Sequence, residues 1–322
     1  MEPLLKNPKY MLKTATLIAL AVLLNGNIYA QSADSLLKTM TDSTKIKTLN
    51  PTFKSTRIVL SQSTETQKKH DLDMRIRHHF GDIGGEFGSA HTLYGLDVAT
   101  DLFIGFDYGI TDKLTVSIGR SKHNELYNGF IKYKLLEQGG GKNGNIPINI
   151  TFLAQMGWIA REPIATTEFP SYANRFTYFL QPIFSRKISQ RISLQIAPAV
   201  LLRKNTTESR DPDNLFSIGF AGRAKLTKRL SFVADYTFVN GLNRPSDLAQ
   251  KFYNPLGVGL EIETGGHVFS LNFMNSEYIS ENSFIPDTKK SWKHGGVRFG
   301  FTISRNFTLF KSKDKDLQSK IY

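Results

Sequence analysis

A chain of 322 residues with 40% hydrophobic and 21% charged side chains is long enough for one sizeable domain, too apolar for a disordered protein and too polar for a bundle of membrane helices. The absence of cysteine excludes disulfides, thiolate metal sites, a cysteine nucleophile and an acylated amino-terminal cysteine. A formal charge of +13 would point to nucleic acid in a cytosolic protein, but the basic residues are scattered and the amino terminus points to export, so no nucleic-acid partner is expected.

The first thirty residues stand apart. Lys6, Lys9 and Lys13 precede an apolar run from Ala15 to Leu24, followed by Ile28-Tyr29-Ala30. A basic stretch, a short apolar core and a small residue at the cleavage position describe a secretory signal peptide cut near Ala30. As a helix, that apolar run would reach only about 15 Å, half of a bilayer core. Residues 31–50 are polar, with Leu36, Leu37 and Met40 at helical spacing. Residues 31–50 read as a periplasmic helix or arm, or as a plug for which they are short, and they open an extension running over 31–70. Residues 52–62 could be an extra strand.

From residue 71 to about 310 the apolar residues recur at period two, the spacing of strands rather than helices. Leu102, Ile104, Phe106, Tyr108 and Ile110 share one face; Ile150, Phe152, Ala154, Met156 and Trp158 share another; Phe269, Leu271 and Phe273, then Phe299, Phe301 and Ile303, repeat the pattern later. The opposite faces carry Gly, Ser, Thr, Asn and Gln with isolated charges. A soluble sandwich would put many charges on that second face. Large apolar residues on one side and small polar ones on the other suit a wall with hydrocarbon outside and a polar lumen inside. The fold class expected is therefore all-β, a transmembrane antiparallel up-and-down β-barrel of about 12 strands, with 14 as the alternative. Such a barrel belongs in the outer membrane of a Gram-negative-type envelope, with outer-membrane lipid, lipopolysaccharide and the barrel-assembly machinery as partners.

A turn pattern repeats. Ile110-Thr111-Asp112-Lys113-Leu114-Thr115, Ile188-Ser189-Gln190-Arg191-Ile192-Ser193 and Leu226-Thr227-Lys228-Arg229-Leu230-Ser231 all read apolar, hydroxyl, variable, basic, apolar, hydroxyl. These tight turns fall on one end of the barrel, and longer connections at 81–99, 161–173, 204–213, 241–254 and 278–292 fall on the other. The charged tail Lys311–Tyr322 replaces the aromatic terminus usual in such barrels, with Phe310 standing twelve residues inward.

Thr52-Phe53-Lys54-Ser55-Thr56-Arg57, Ile76-Arg77-His78-His79-Phe80-Gly81, Tyr94-Gly95-Leu96-Asp97, Gly105-Phe106-Asp107-Tyr108-Gly109-Ile110-Thr111-Asp112, Gly119-Arg120-Ser121 and Phe130-Ile131-Lys132-Tyr133-Lys134-Leu135-Leu136 carry a resemblance. Over about residues 50 to 310 the chain resembles an uncharacterised family of exported β-barrel proteins carrying a domain of unknown function. His79 stands where the family pattern has Arg. The resemblance implies an outer-membrane barrel and no activity, ligand or site.

No residue pattern carries recognisable catalysis, and no catalytic residue, cofactor or metal site is assigned. Gly139-Gly140-Gly141-Lys142-Asn143-Gly144 matches a phosphate-loop spacing, but a strand rather than a helix follows, so it reads as a turn. His78 and His79 are adjacent and point to opposite sides of a strand, so they cannot chelate one ion. The lumen is expected to carry basic Arg75, Arg77, Lys132, Lys134, Arg223 and Arg298 with acidic Asp73, Asp107, Asp235, Glu261 and Glu263. Glu261 and Glu263 share a strand face and could be paired carboxylates, although pairing with Arg223 or Arg298 is the simpler expectation. The function expected is a passive pore or transporter for small solutes, biased toward anions by those basic residues. The alternative is a non-conducting structural or surface-binding barrel whose long outer loops, with Trp292, Tyr253 and Tyr278, contact partners; an interfacial aromatic belt is the simpler role for those three.

Overall fold

The computed structural model of the chain describes residues 51–85, 88–140, 145–204, 212–240, 252–264 and 267–310. The signal-peptide segment, residues 31–50, most of the glycine-rich turn and the charged tail lie outside the described residues.

Twelve strands close into one antiparallel barrel in which every strand pairs with its sequence neighbours and the last pairs with the first. They are β1 (Asp71–Asp82), β2 (Ala99–Thr111), β3 (Leu114–Ser121), β4 (Leu126–Leu136), β5 (Asn149–Ile159), β6 (Phe176–Lys187), β7 (Ile192–Arg203), β8 (Asn214–Lys225), β9 (Leu230–Asn240), β10 (Leu256–Thr264), β11 (His267–Met274) and β12 (Arg298–Thr308). Closure runs from Asp71 opposite Thr308 to Asp82 opposite Arg298. It leaves no unpaired sheet edge, which hydrocarbon would penalise because it cannot hydrogen-bond the free amides and carbonyls. No described helix is long and apolar enough to cross a membrane. Twelve strands, not fourteen, complete the barrel, because residues 52–62 do not join the sheet and no further strand follows β12 among the described residues. Residues 52–62 make only an isolated bridge between Arg57 and Gln62, and β12 already ends at Thr308.

The period of two sorts the side chains as expected. Ile118, Ile131 and Phe216 on the outer face are 64%, 56% and 59% exposed, part of an apolar belt that water would penalise and lipid would accept. Most inward residues of the same strands, among them Thr115, Ser121, Asn128, Lys132, Leu215 and Ser217, are buried.

The repeated turns have a local cause. The hydroxyl of Thr111 accepts the amides of Lys113 and Leu114 at 3.2 and 3.0 Å. Ser189 does the same for Arg191 and Ile192 at 3.2 and 3.1 Å, and Thr227 for Arg229 and Leu230 at 3.2 and 3.0 Å. Each turn thus satisfies amides that would otherwise be orphaned between two strands. The alternation of long and short connections has an exception, since β3 and β4 are joined at the loop end by only Lys122–Glu125, a short 3₁₀ turn. The connection after β11 contains a four-residue helix, α1 (Glu281–Phe284), and it does not extend into solvent: Ser280, Glu281, Asn282 and Phe284 are all buried.

Candidate functional site

The lumen is occupied. Residues 51–67, expected in part as a periplasmic extension or an extra strand, instead run up inside the barrel and back. Thr52 takes a hydrogen bond from Asn149 at the foot of β5 (2.7 Å), and Gln67 donates to Thr115 near the foot of β3 (2.8 Å), so the segment enters and leaves by the turn end. Between them, Phe53, Ile58, Val59 and Leu60 are buried at 1%, 4%, 0% and 0% exposure. They join a hydrophobic cluster with Ile183, Leu201, Leu215, Val233 and Val239 from the wall.

A hairpin closed by a single bridge has free backbone groups, and burying them unpaired would cost about 1–3 kcal/mol apiece. The wall supplies the partners. Asp235 on β9 accepts the amides of Val59, Leu60 and Ser61 on one carboxylate oxygen at 3.1, 2.7 and 2.8 Å. Lys132 on β4 donates to the carbonyls of Thr56, Ser63 and Glu65 at 2.9, 3.1 and 3.4 Å, using all three ammonium protons. Arg77 donates to Val59 O at 2.7 Å, Gln195 to Gln62 O at 2.7 Å and Thr151 to Thr64 O at 2.8 Å. Thr56 donates to Asp107 at 3.0 Å and accepts from Arg75 at 2.8 Å. One wall anion thus gathers amides at the plug tip while a wall cation gathers carbonyls along its stem.

The β11–β12 connection descends from the other end to meet it. Ile279 N donates to Asp101 at 3.0 Å, and Arg77, already bound to the plug, donates to Ile279 O at 3.2 Å. Asn282 donates to Thr177 at 2.7 Å and accepts from Gln155 at 2.9 Å, while Asn128 donates to Ser280. The two inserted segments are joined directly by Arg57 and Glu281, 2.9 Å apart and 5% and 2% exposed. Two glycines make room. A Cβ on Gly157 would lie 2.5 Å from Asn282 Nδ2, and one on Gly257 would lie 2.6 Å from Val59 Cγ1.

The inward charges named from the sequence are placed as follows. Arg75 pairs with Asp73 and lies 3.9 Å from Asp107; Lys134 pairs with Glu65 at 3.4 Å; Arg223 pairs with Glu261 at 3.0 Å. Arg298 pairs with Asp82 at 2.8 Å and Glu277 at 2.5 Å. Glu263 lies at the turn-end rim, paired with Lys54 at 2.5 Å. The two glutamates are therefore neutralised by different cations, as pairing rather than acid–base partnership would have it. In this closed lumen the six basic residues do not line an open anion path; each is matched by carboxylates or plug carbonyls. Sequence reasoning missed Asp101, Arg57, Glu281 and the plug itself.

Tyr278 and Trp292 are engaged by the structure too. Tyr278 stacks on His123 at 3.6 Å between ring centres, and Trp292 donates to Leu256 O at 3.1 Å. Burial and the nearby Asp287 and Glu277 push the Tyr278 hydroxyl well above its ordinary pKa, and burial lowers that of His123. Tyr253 donates its amide to Thr288 O at 2.8 Å. On the neighbouring β5–β6 connection, Arg161 forks onto Glu168, whose carboxylate also accepts the amide of Ile164 at 2.6 Å. Phe169 lies under Arg161 and Arg175 at 5.6 and 4.6 Å.

A closed apolar-coated barrel with a polar inner wall and a lumen filled by its own chain defines a transmembrane β-barrel. More narrowly, the chain belongs to the family described as a membrane bound beta barrel domain, DUF5777, which it matches over residues 53–307. That match takes in the plug as well as the strands. No curated protein matches it by sequence. Among solved structures it is similar to the NanC porin, at 10% identity over 74% of this chain and 100% of that one, with a TM-score of 0.45. It is similar also to the KdgM porin, at 6% identity over 74% and 99% with a TM-score of 0.41. The COG4313 outer membrane channel from Pseudomonas putida F1 matches at 12% identity over 76% and 98%, with a TM-score of 0.42. Likeness at this level carries nothing about what passes through the barrel.

Proposed function

We propose that the protein is an outer-membrane pore or transporter for small polar solutes whose path is closed, in the state described here, by residues 51–67 and the β11–β12 connection. The observation that carries this reading is how the lumen is filled. A barrel meant only to be solid can fill itself with wall side chains. Here a separate segment occupies it without joining the ladder, held by side-chain bonds that can be exchanged for water. If it withdrew, the wall left behind would be polar, with Arg75, Arg77, Lys132, Asp101, Asp107 and Asp235 facing the opening. Those charges are of both signs, so the anion bias expected from the basic residues alone is not favoured by the geometry. Lipopolysaccharide outside and the assembly machinery during insertion are the partners this location implies.

One observation favours a second reading, a permanently closed structural barrel: the plug contributes to a packed apolar core as well as to polar contacts. Planar-bilayer recording separates the two. Wild-type protein should be mostly silent with rare stepwise openings, and a variant lacking residues 51–66 and with residues 279–285 of the β11–β12 connection replaced by a short glycine-serine link should conduct persistently. Arg75→Gln with Arg77→Gln should shift its ion selectivity toward cations. Silence of the deletion variant, once its heat-dependent gel mobility shows a folded barrel, would leave the structural reading standing.

A further inference from the structure

The turn repeat contains a residue that the turn does not use. Its hydroxyl caps the bend and its apolar positions flank it, but the basic residue at the fourth position of each turn, Lys113, Arg191 and Arg229, is exposed. The side chains of these three make no hydrogen bond, ion pair or ring contact among the described residues. Their backbones are fixed: Lys113 O accepts from Lys134 N at 2.8 Å, Arg191 O from Lys225 N at 2.7 Å and Arg229 O from Glu263 N at 2.8 Å. The three tips are therefore bonded to adjacent strands and hold their cations at one rim. Two of the turns sit in stretches without any carboxylate, residues 186–195 and 221–232, where Lys187, Lys225 and Lys228 add to the positive charge.

The flanking residues set the depth. Ile110, Ile188, Ile192 and Leu226 are exposed large hydrophobics on the outer surface next to the tips. Their place is the edge of the hydrocarbon, which puts the basic residue beside them at the level of the lipid headgroups. An arginine there meets a phosphodiester with a fork of matching geometry, and its aliphatic stem can lie along the apolar surface.

We propose that the turn rim is a binding surface for anionic phospholipids of the leaflet it faces, with Lys113, Arg191 and Arg229 taking phosphate oxygens. The proposal rests on the barrel spanning a membrane and is independent of the pore reading. It fails or stands on lipid retention, not on conductance.

The test uses the purified full chain in mild detergent, offered equimolar phosphatidylglycerol and phosphatidylcholine, with retained lipids counted by native mass spectrometry. Wild type should retain phosphatidylglycerol preferentially. The variant K113Q/R191Q/R229Q should lose that preference, by about fivefold per cation and roughly a hundredfold for three. R191K/R229K, which keeps the charges, should hold most of it. Raising the salt from 0.15 to 1 M shortens the screening length from about 8 to 3 Å and should erode the preference of the wild type itself, a measurement that needs no variant. Equal retention of both lipids by the wild type, a preference indifferent to salt, or one unchanged in the neutralised variant would overturn the proposal.

Discussion

Replacing Asp235 with alanine should loosen the plug at its tip. One carboxylate oxygen there accepts three backbone amides, from Val59, Leu60 and Ser61, at 2.7 to 3.1 Å. Hydrogen bonds to a charged partner contribute about 1.5–3 kcal/mol each. Taking the low end for all three gives about 4.5 kcal/mol, because after the substitution the same amides are buried without a partner until the tip moves out to water. At 1.36 kcal/mol per tenfold, the population with the tip released should rise by roughly a thousandfold. The chain has no cysteine, so Ser61→Cys provides a single thiol at a position that is 7% exposed. Its rate of reaction with a maleimide reports release. In the otherwise wild-type barrel it should react slowly, and with Asp235→Ala it should approach the rate of a cysteine placed at exposed Gln190. Asp235→Asn, which keeps an acceptor oxygen but no charge, should fall between. An unchanged rate in the alanine variant, with the barrel still folded, would refute the idea that Asp235 holds the plug.

Arg57→Met or Glu281→Met alone should destabilise the barrel by about 3–5 kcal/mol, since each strands a buried charge. The double variant should recover much of the loss, read as the temperature at which gel mobility shifts. Gly257→Val should press on Val59, 2.6 Å from the added Cβ, and on the Asp235 carboxylate 3.0 Å from it, and so speed labelling of the Ser61→Cys thiol. In the β5–β6 connection, the hydrogen bond from Arg161 holds the Glu168 carboxyl below its ordinary pKa. A depressed carboxyl contributes stability that is present above its unfolded value and lost as pH falls through the folded one. Protection of the Ile164 amide, corrected for intrinsic exchange, should therefore persist from neutral pH into the usual carboxylate range and collapse only below it. Glu168→Gln should lower it already at pH 7.

Much of this molecule is legible along the chain because a strand repeats every two residues. Ile104, Phe106 and Tyr108 on one face of β2, with Asp107 on the other, indicate a wall between two solvents before any strand is placed in space. The turns at Thr111, Ser189 and Thr227 are equally local, since the hydroxyl caps amides two and three residues ahead. The inward orientation of Arg75, Arg77 and Lys132 followed from the same alternation.

What fills the lumen has no such signature. Ile58, Val59 and Leu60 are three consecutive apolar residues, a run as compatible with a short strand as with a plug. The wall groups that bind the segment's carbonyls and amides, Lys132 and Asp235, lie far away in sequence on β4 and β9. Glu281, 224 residues from Arg57, looked like part of an outer loop until the barrel closed around it. Periodicity and capping act between near neighbours, so the sequence by itself determined the strands, their faces, the tight turns and the membrane-facing belt. Which segment enters the barrel, and which wall charge each of its polar groups meets, depends on contacts between distant parts of the chain, and only the tertiary structure decided that.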